Sequence, residues 1–537
     1  MAIHFLVAHA SSPQIAGTLM VSQSRPLQKV SEIIGLINYY HDLPGILRYM
    51  VHKTDIAFEG EVPDVFSSLG EPLSGFDLVT KHWPNGFSSD VYSVILNKTL
   101  ETTGTVSSDP LQKIKVPSVE AQGDDDENAQ ARLLKALKKF NISTLSKPSH
   151  FRDFQVEGGN ILNGHPLEAK GLPIGLFHPV FDSFEGRIDS PSFTATPLQL
   201  SSARALLAAS QYLYGKETGA GGRTETLKPL LNRLLGVFIQ NSGVLGTHSD
   251  GLVQAQTGGY QMIMEVKNEI GVGGCDPSIQ GAVAYANYWG DDRSEWMTRR
   301  CCCPSMILAI AGPWMCILGG IMLKQPVIQP LTPFFWFGDN LSAPLHIHYV
   351  AKVFASLAMS LSELRNFYDG LGMPSDIPRN PRRHLPHPQH FTVEKQRVDI
   401  EYRALVVPGK AIYRAVAQPE DGEAYKIIVK FAESYNALAH RLLASMGLAP
   451  ELLFVSSEDQ EEFKVARRIM VVMKEVPYKD LSTATSFPDC VHKDVSRALS
   501  ALHQKNMVFG DLRPPNILVV DDEKGRQTGA MLIDFDW

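Results

Sequence analysis

Cysteine is scarce in this 537-residue chain, which contains only six, and no two of them stand at Cys-x2-Cys spacing. Three are adjacent, at Cys301, Cys302 and Cys303. Small disulfide-dense scaffolds need a higher density of cysteine than this. Structural zinc sites usually use paired cysteines two to four residues apart. The cysteine pattern therefore argues against both a disulfide framework and a structural zinc site.

The chain also lacks a large excess of charge of either sign. Its formal net charge is −7 and its pI is about 6.2, so no chain-wide attraction to nucleic acid is expected, and any DNA contact must come from a local patch. Hydrophobic residues make up 44% and charged residues 20%, which is typical of soluble globular proteins. The length predicts three to four domains.

Targeting and membrane signals are weak. No Lys or Arg precedes the first apolar run, at residues 3–8, and the run is short and follows closely on Met1, so it favours a strand over a signal peptide. Residues 303–323 form the longest apolar stretch and are numerous enough to cross a membrane. Gly312 and Pro313 interrupt this stretch, so we expect two buried strands joined by a turn and no integral membrane segment.

The most informative residues lie at 511–534. Asp511 is followed five residues later by Asn516, then by an apolar strand and by a second apolar strand that ends in Asp534. This order is typical of a protein-kinase-like phosphotransferase. We expect Asp511 to accept the proton of a substrate hydroxyl, Asn516 and Asp534 to bind Mg²⁺, and Arg513 to neutralise phosphate charge. The alternative is a polar loop in which the Asp residues only form turns.

Further kinase-like features precede this stretch. Lys430 ends the apolar run Ile-Ile-Val-Lys and is expected to bind nucleotide phosphates, while Gly409 lies in a hairpin that would cover them. The next helix should carry a Glu that pairs with the lysine. Leu438 stands at that position, and Glu433 lies five residues earlier, more than a helical turn away. We therefore expect Lys430 to be poorly held against the phosphates.

The sequences Gly-Asp-Leu-Arg-Pro-Pro-Asn at 510–516 and Asp-Phe-Asp-Trp at 534–537 resemble the fungal-type protein kinases. The resemblance covers residues 405–537 and implies ATP and Mg²⁺ as cofactors and a protein as substrate. Phe509 stands where that family usually has His, and we expect an apolar ring to fill the position. The sequence ends soon after the metal loop, so we expect a truncated kinase-like domain without an activation segment.

A second constellation lies at residues 140–370. Strand alternation puts Glu265 and Lys267 on one face of a strand at residues 260–267, and Asp250 on the preceding strand can reach that face. Two carboxylates and a lysine suit phosphodiester cleavage that depends on Mg²⁺ or Mn²⁺. The alternative is a surface strand with an ordinary Glu–Lys pair. The order resembles the PD-(D/E)xK nucleases, which implies a restriction-endonuclease-like α/β domain, DNA as a partner, and further site positions at Glu225 and Gln280.

Residues 1–100 show a strand–strand–helix pattern and a closing strand at residues 91–96, as in a ubiquitin-like β-grasp. The segments Lys-Thr-Asp-Ile at 53–56 and Leu-Ser-Gly-Phe at 73–76 resemble the N-terminal domain of Crinkler effector proteins. That resemblance implies an effector that acts outside its producing cell, within a host cell and often in the nucleus of that cell.

The expected fold class is multidomain α+β and α/β. The expected domains are the ubiquitin-like N-terminal domain at 1–100, a linker and helix at 101–139, the nuclease-like domain at 140–370, a Pro-rich linker at 371–400, and the kinase-like domain at 401–537. The function that these features predict is a Crinkler-like effector that combines a metal-dependent nuclease-like domain with an ATP-binding kinase-like domain. The alternative is a catalytically impaired pseudokinase whose domains bind protein or nucleic acid.

Overall fold

The computed structural model describes residues 2–9, 12–20, 49–57, 91–98, 142–156, 161–241, 249–340, 343, 345–372, 380–393, 395–456, 465–480, 489–521 and 527–537. These residues form a mixed α/β protein with several sheets. The chain divides into two compact units, residues 1–115 and 116–537.

The first unit contains one four-stranded sheet. Its strands are β1 (Ala2–His9), β2 (Ser12–Met20), β3 (Tyr49–Ala57) and β4 (Val91–Lys98). The spatial order is β2-β1-β4-β3, in which β1 and β4 are parallel and the other pairs are antiparallel. The predicted first and closing strands are confirmed. The helices predicted at 27–37 and 129–140 lie outside the described residues.

The first sheet of the second unit is built around its buried central strands. The strands are β5 (Gly251–Gln254), β6 (Tyr260–Lys267), β7 (Ser305–Ala311), β8 (Trp314–Met322), β9 (Pro326–Pro330) and β10 (Phe335–Trp336). The order is β10-β8-β7-β6-β5, with β9 also paired to β8, and only β6 and β7 are parallel. Strand β6 has the bounds that the sequence predicted.

Helices cover this sheet. They are α1 (Ile142–Leu145), α2 (Pro148–Val156), α3 (Pro179–Asp189), α4 (Pro197–Ser210), α5 (Arg223–Leu235), α6 (Pro277–Trp289), α7 (Glu295–Thr298) and α8 (His346–Gly370). Helix α6 packs along β6, β7 and β8, and α8 packs against α3, α4, α5 and β6. Local signals set several bounds: Asp276 caps the start of α6, and Gly236, with φ of 65°, ends α5.

The apolar segment 303–323 forms the antiparallel hairpin β7–β8, as the Gly-Pro interruption predicted. The turn places Ala311 opposite Trp314, and Gly312 adopts a φ of 61° that favours glycine. The hairpin is buried along almost its whole length. Each helix within the described ranges is too short or too polar to cross a membrane.

The second unit continues with a six-stranded antiparallel sheet and a three-stranded one. The strands are β11 (His390–Val393), β12 (Gln396–Leu405), β13 (Ile412–Pro419), β14 (Tyr425–Ala432), β15 (Leu452–Val455), β16 (Ile469–Lys474), β17 (Tyr478–Asp480), β18 (Ile517–Asp521) and β19 (Gln527–Leu532). The orders are β11-β12-β13-β14-β16-β15 and β17-β18-β19. Helix α9 (Ala437–Ser445) packs on β15 and on α10 (Asp489–His503), and α10 packs on β19.

The expected Pro-rich linker at 371–400 differs from what the structure shows at 380–400. Pro381–His384 form a 3-10 turn, and β11 and most of β12 belong to the six-stranded sheet. The segment is also held by backbone bonds: Asn380 N–H donates to Arg299 O at 2.9 Å, and His387 N–H donates to Leu176 O at 2.7 Å. One cluster of buried apolar side chains extends from the first sheet into the six-stranded sheet.

Candidate functional site

A cleft of about 340 Å³ lies between the six-stranded sheet and the three-stranded sheet. Apolar side chains line both of its walls: Val406, Val407, Ile412, Ile428, Met473, Val476, Leu518 and Ile533. Four polar side chains at the cleft bear on its chemistry: Lys410, Lys430, Asn516 and Asp534. An apolar slot with a few converging polar groups is the usual form of a small-molecule site.

The loop before β18 orders its polar groups by hydrogen bonds. The Asn516 amide nitrogen donates to the backbone oxygen and to carboxylate oxygen Oδ2 of Asp511, both at 2.9 Å. Arg513 Nε donates to the same Oδ2 at 2.9 Å. Because the Asn516 side-chain nitrogen faces Asp511, the side-chain oxygen of Asn516 points away from it. Asp511 Oδ1 takes part in none of these three bonds. The Asp511 side chain is 46% exposed, so a substrate hydroxyl can reach it.

The hairpin β18–β19 brings the distant parts of this motif together. Ile517 pairs with Leu532, and Ile533 N–H donates to Asn516 O at 3.0 Å, so Asn516 and Asp534 lie at the same end of the sheet. Asp534 adopts a φ of 74°, a conformation that costs energy for a residue with a Cβ and is often found at functional sites.

Lys430 is buried in the middle of the six-stranded sheet, and it is not poorly held, contrary to the expectation from Leu438. Its ammonium group contacts a carboxylate oxygen of Asp534 and lies 2.6 Å from Asp536 Oδ2. Leu438 is 76% exposed, and Glu433 pairs with Arg468 at 2.8 Å. The carboxylates that contact Lys430 come from the segment after β19 and not from the helix.

The ionisation of the two aspartates reflects this shared lysine. Burial opposes ionisation of Asp534, but the hydrogen bond and positive charge of Lys430 outweigh it, so the pKa of Asp534 lies below its usual value. Burial raises the pKa of Asp536, and Lys430 offsets only part of that effect. Asp534 is therefore the carboxylate that stays ionised most readily, as a metal ligand must.

Gly409 lies in the turn between β12 and β13, the hairpin that the sequence predicted. Its φ of 77° favours glycine, and since a Cβ there would meet no other atom within 4 Å, the backbone conformation and not lack of space explains the residue. Gly409 lines a second cavity of about 640 Å³, together with Lys410, Lys430 and Asp536. Residues 170–173 line the opposite side of that cavity.

Phe509 fills an apolar position, as expected. It is 6% exposed, and its ring lies 5.6 Å from that of Phe535 and 5.5 Å from that of Trp537. Phe535 in turn stacks on His440, with ring centroids 4.6 Å apart and an interplanar angle of 7°. These rings pack the loop that precedes β18 against the segment that contains the two aspartates.

The second constellation is centred on Glu265, near the carboxyl end of β6. Its side chain is fully buried, and neither carboxylate oxygen has a hydrogen-bond partner within the described residues. Burial raises the pKa of Glu265 well above its usual value, and the negative charge of Asp250 adds to the effect. An unpartnered buried carboxylate is costly unless it binds a cation or stays protonated.

Asp250 and Lys267 adjoin Glu265, as the strand alternation predicted. Asp250 Oδ2 accepts from Val266 N–H at 2.9 Å. Burial raises the pKa of Asp250, and the Val266 amide and the positive charge of Lys267 offset part of the rise. Lys267 donates to Glu217 Oε2 at 3.1 Å. The structure thus gathers three carboxylates and one ammonium group at one end of β6.

The other two predicted residues of this constellation differ in placement. Gln280 lies on α6, is 5% exposed, and its Oε1 has no partner within the described residues. The neighbouring Gly281 is close to Glu265, because a Cβ on it would lie 3.8 Å from Glu265 Cγ. Glu225 lies exposed in the first turn of α5 and interacts electrostatically with Lys228. Helix α6 therefore passes beside Glu265 at Gly281, and the third carboxylate of the cluster comes from Glu217.

The donor sets of both sites suit Mg²⁺, which prefers oxygen ligands. The residues that fit are Asn516 and Asp534 in the cleft, and Asp250 and Glu265 beside β6. No group of three or more Asp, Glu, His or Cys side chains close enough to hold a metal ion occurs among the residues that the structure describes. Mg²⁺ is often held by one or two protein side chains and keeps several water molecules.

The sequence pattern did not predict Glu217 and Asp536. Glu217 precedes a Gly-rich turn at 219–222 that has no periodic pattern. Asp536 has a signal in the sequence, since it is the second carboxylate of Asp-Phe-Asp. No protein-family model matches the chain, and no curated protein is detectably similar to it.

Proposed function

We propose that residues 401–537 bind MgATP and transfer its terminal phosphoryl group to a protein hydroxyl. The observation that carries this proposal is the cleft between the two sheets. Lys430, Asn516 and Asp534 all line this cleft, and Asn516 is hydrogen-bonded to Asp511. The order of these groups along the chain and in space supports a protein-kinase-like fold with an adenine-sized apolar slot. ATP supplies the phosphoryl group, and Mg²⁺ neutralises its charge.

Each residue has a definable task in this reaction. Asp511 orients and deprotonates the attacking hydroxyl through Oδ1, because Oδ2 is occupied by Arg513 and Asn516. Asn516 and Asp534 hold the metal, and Lys430 binds phosphate oxygens. Gly409 allows the hairpin backbone to approach the phosphates closely.

The test is phosphoryl transfer by the full chain with radiolabelled ATP, Mg²⁺ and a general protein substrate such as casein. Asp511→Asn should lower transfer by at least about 100-fold and leave nucleotide affinity nearly unchanged, as expected for a catalytic base. Asp399→Asn is the matched control, since Asp399 is likewise an exposed aspartate paired with an arginine two residues away, Arg397, but it does not line the cleft. Binding of ATP without transfer would support the alternative of a pseudokinase that acts as a binding protein.

A second function is favoured by the unpartnered carboxylate of Glu265: metal-dependent cleavage of DNA by residues 140–370, with a restriction-endonuclease-like fold. Mg²⁺ or Mn²⁺ bound by Asp250 and Glu265 would activate the attacking water. Lys267, held in place by Glu217, would orient that water.

This function is tested by incubating the full chain with plasmid DNA and with RNA in Mg²⁺ or Mn²⁺. Glu265→Ala should abolish cleavage by removing a metal ligand. Glu217→Ala should lower cleavage far more than Glu225→Ala, because only Glu217 contacts Lys267. Absence of cleavage by the unaltered chain with either metal, or equal effects of the two other substitutions, would contradict this assignment.

We further propose that residues 1–98 form a ubiquitin-like β-grasp domain of the Crinkler type. The strand order β2-β1-β4-β3, with the first and last strands parallel at the centre, supports that fold. This N-terminal domain resembles that of Crinkler effector proteins. On this resemblance we base the proposal that the protein is an effector that acts in a host cell or in its nucleus. A fluorescent fusion of the full chain, followed in producing and recipient cells, tests the location.

A further inference from the structure

The helix that follows Lys430 contains no acidic residue. Helix α9 reads Ala-Leu-Ala-His-Arg-Leu-Leu-Ala-Ser, and its exposed Leu438 faces away from the protein interior. In kinase-like sites a helix glutamate holds the phosphate-binding lysine in place. Another group must hold Lys430 here if the cleft binds MgATP.

Lys430 has two carboxylate partners, and only one of them faces the cleft. Asp534 lines the cleft of about 340 Å³, whereas Asp536 lines the second cavity on the other side of Lys430. The Lys430 side chain is only 10% exposed, and its ammonium group lies 2.6 Å from Asp536 Oδ2. If Asp534 binds Mg²⁺, Asp536 remains as the carboxylate that pairs with the ammonium group of Lys430.

The backbone on either side of Asp536 is fixed to the turn that precedes α9. Asn436 N–H donates to Phe535 O at 2.7 Å, and the Ser434 hydroxyl donates to Asp536 O. Phe535 is fully buried against His440. This turn therefore fixes the position from which the Asp536 carboxylate reaches Lys430.

We propose that Asp536 is the positioning residue that holds Lys430 for nucleotide binding, in place of the absent helix glutamate. The inference rests on the proposed MgATP function and adds a residue to it. Loss of Asp536 would release Lys430 whenever Mg²⁺ occupies Asp534.

The first test measures binding of a fluorescent ATP analogue, mant-ATP, to the full chain in Mg²⁺. Asp536→Asn keeps the side-chain shape and should weaken binding about tenfold, the range expected for loss of a hydrogen bond between charged groups. Asp536→Glu should retain most of the affinity. Glu433→Gln is the matched control: it removes one negative charge from the same cavity, but Glu433 pairs with Arg468 and not with Lys430.

The second test needs no nucleotide. The rate at which acetic anhydride acylates Lys430, followed by peptide mass spectrometry of the full chain, reports how firmly the ion pairs of Lys430 keep its amine from the reagent. Asp536→Asn should raise this rate severalfold, and Glu433→Gln should not. Equal mant-ATP affinity in the Asp536→Asn variant, or an unchanged acylation rate, would overturn the inference. Failure of the unaltered chain to bind mant-ATP would overturn the proposed function, and the acylation rates would still decide whether Asp536 holds Lys430.

Discussion

At the scale of single residues, the central carboxylates of the two sites lie in opposite electrostatic environments. Asp534 has an ammonium partner and a pKa below its usual value, whereas Glu265 has no hydrogen-bond partner within the described residues and a pKa well above its usual value. A carboxylate without a partner in an apolar interior favours its protonated form. Burial and the neighbouring charge of Asp250 therefore favour the protonated form of Glu265 over its ionised form unless a cation takes the place of the proton.

Glu265→Gln should raise the free energy of unfolding at pH 7 in the absence of divalent metal. The folded-state pKa of Glu265 is raised, so its contribution to stability is fully present below the unfolded-state pKa of about 4.3 and is lost as the pH rises towards the folded-state pKa. The loss is roughly 1.4 kcal/mol for each pH unit in that interval. Glutamine has a similar shape and no such loss. Denaturant unfolding at several pH values measures the difference.

Glu225→Gln is the control for this experiment, because Glu225 is exposed on α5 and its neutralisation should leave the pH dependence unchanged. Addition of Mn²⁺ should stabilise the unaltered chain and not the Glu265→Gln variant. A Glu265→Gln variant that is less stable than the unaltered chain at pH 7, with the same pH dependence, would show that Glu265 is ionised and partnered.

The sequence predicted some of these residues well and others not at all. Asp511, Asn516 and Asp534 come together because a short hairpin with fixed register connects them, and that register can be inferred from two apolar runs. Glu217 contacts Lys267, which lies 50 residues later in the chain. Glu217 stands beside a Gly-rich turn, and such a turn has no periodic pattern in the sequence. Long-range pairs of this kind depend on packing and cannot be inferred from spacing.

At the scale of helices and strands, β6, β7 and β8 were predictable because buried strands are continuous apolar runs that end at turn residues. Strand β11 was missed because the prolines around it indicated a linker. Pro386 and Pro388 lie before the strand, where they remove no sheet hydrogen bond, and Pro381 begins a 3-10 turn that its fixed φ suits. Proline therefore marked the boundaries of structure here and not its absence.

Helix α6 lies unusually close to the sheet, and this closeness depends on Gly281. A Cβ at that position would lie 2.5 Å from Ile307 Cγ2, and Ile307 is fully buried on β7. Gly281→Ala should lower the free energy of unfolding by roughly 1–3 kcal/mol, because the helix or the isoleucine must move. Thermal and denaturant unfolding of the full chain measure the change.

Gly186 provides the matched control within another helix. It lies in the interior of α3, is exposed, and a Cβ on it would meet no atom within 4 Å. Gly186→Ala should therefore stabilise the protein by about 0.5–1 kcal/mol, since alanine loses less backbone entropy than glycine in a helix. Equal effects of the two substitutions would show that α6 does not need glycine for its close approach.

At the scale of the whole molecule, residues 116–537 form one compact unit, although the sequence suggested two domains and a linker. Part of the connection is a carboxylate clamp between α3 and the turn before β16. Both carboxylate oxygens of Asp182 accept from Ala466 N–H, at 2.9 and 2.8 Å, and Arg467 lies 2.5 Å from Asp189. Ala466 and Arg467 have positive φ values of 54° and 55°. Asp182 and Ala466 are 284 residues apart, so the local sequence around Asp182 does not indicate this pairing.

This clamp should make the stability of the unit depend on pH. Burial raises the pKa of Asp182 to about 6, against the smaller opposing effects of the Ala466 amide and Arg467. The neutral form is favoured in the folded state, so the contribution of Asp182 is complete below about pH 4 and is lost as the pH rises through 6. The raised pKa corresponds to roughly 3 kcal/mol at neutral pH.

In calorimetry of the full chain, Asp182→Asn should therefore flatten the fall in melting temperature between about pH 4.5 and about pH 7. Asp189→Asn is the control, since Asp189 contacts the same arginine with a 63% exposed side chain. Identical pH profiles for the unaltered chain and Asp182→Asn would show that the clamp carboxylate is not desolvated.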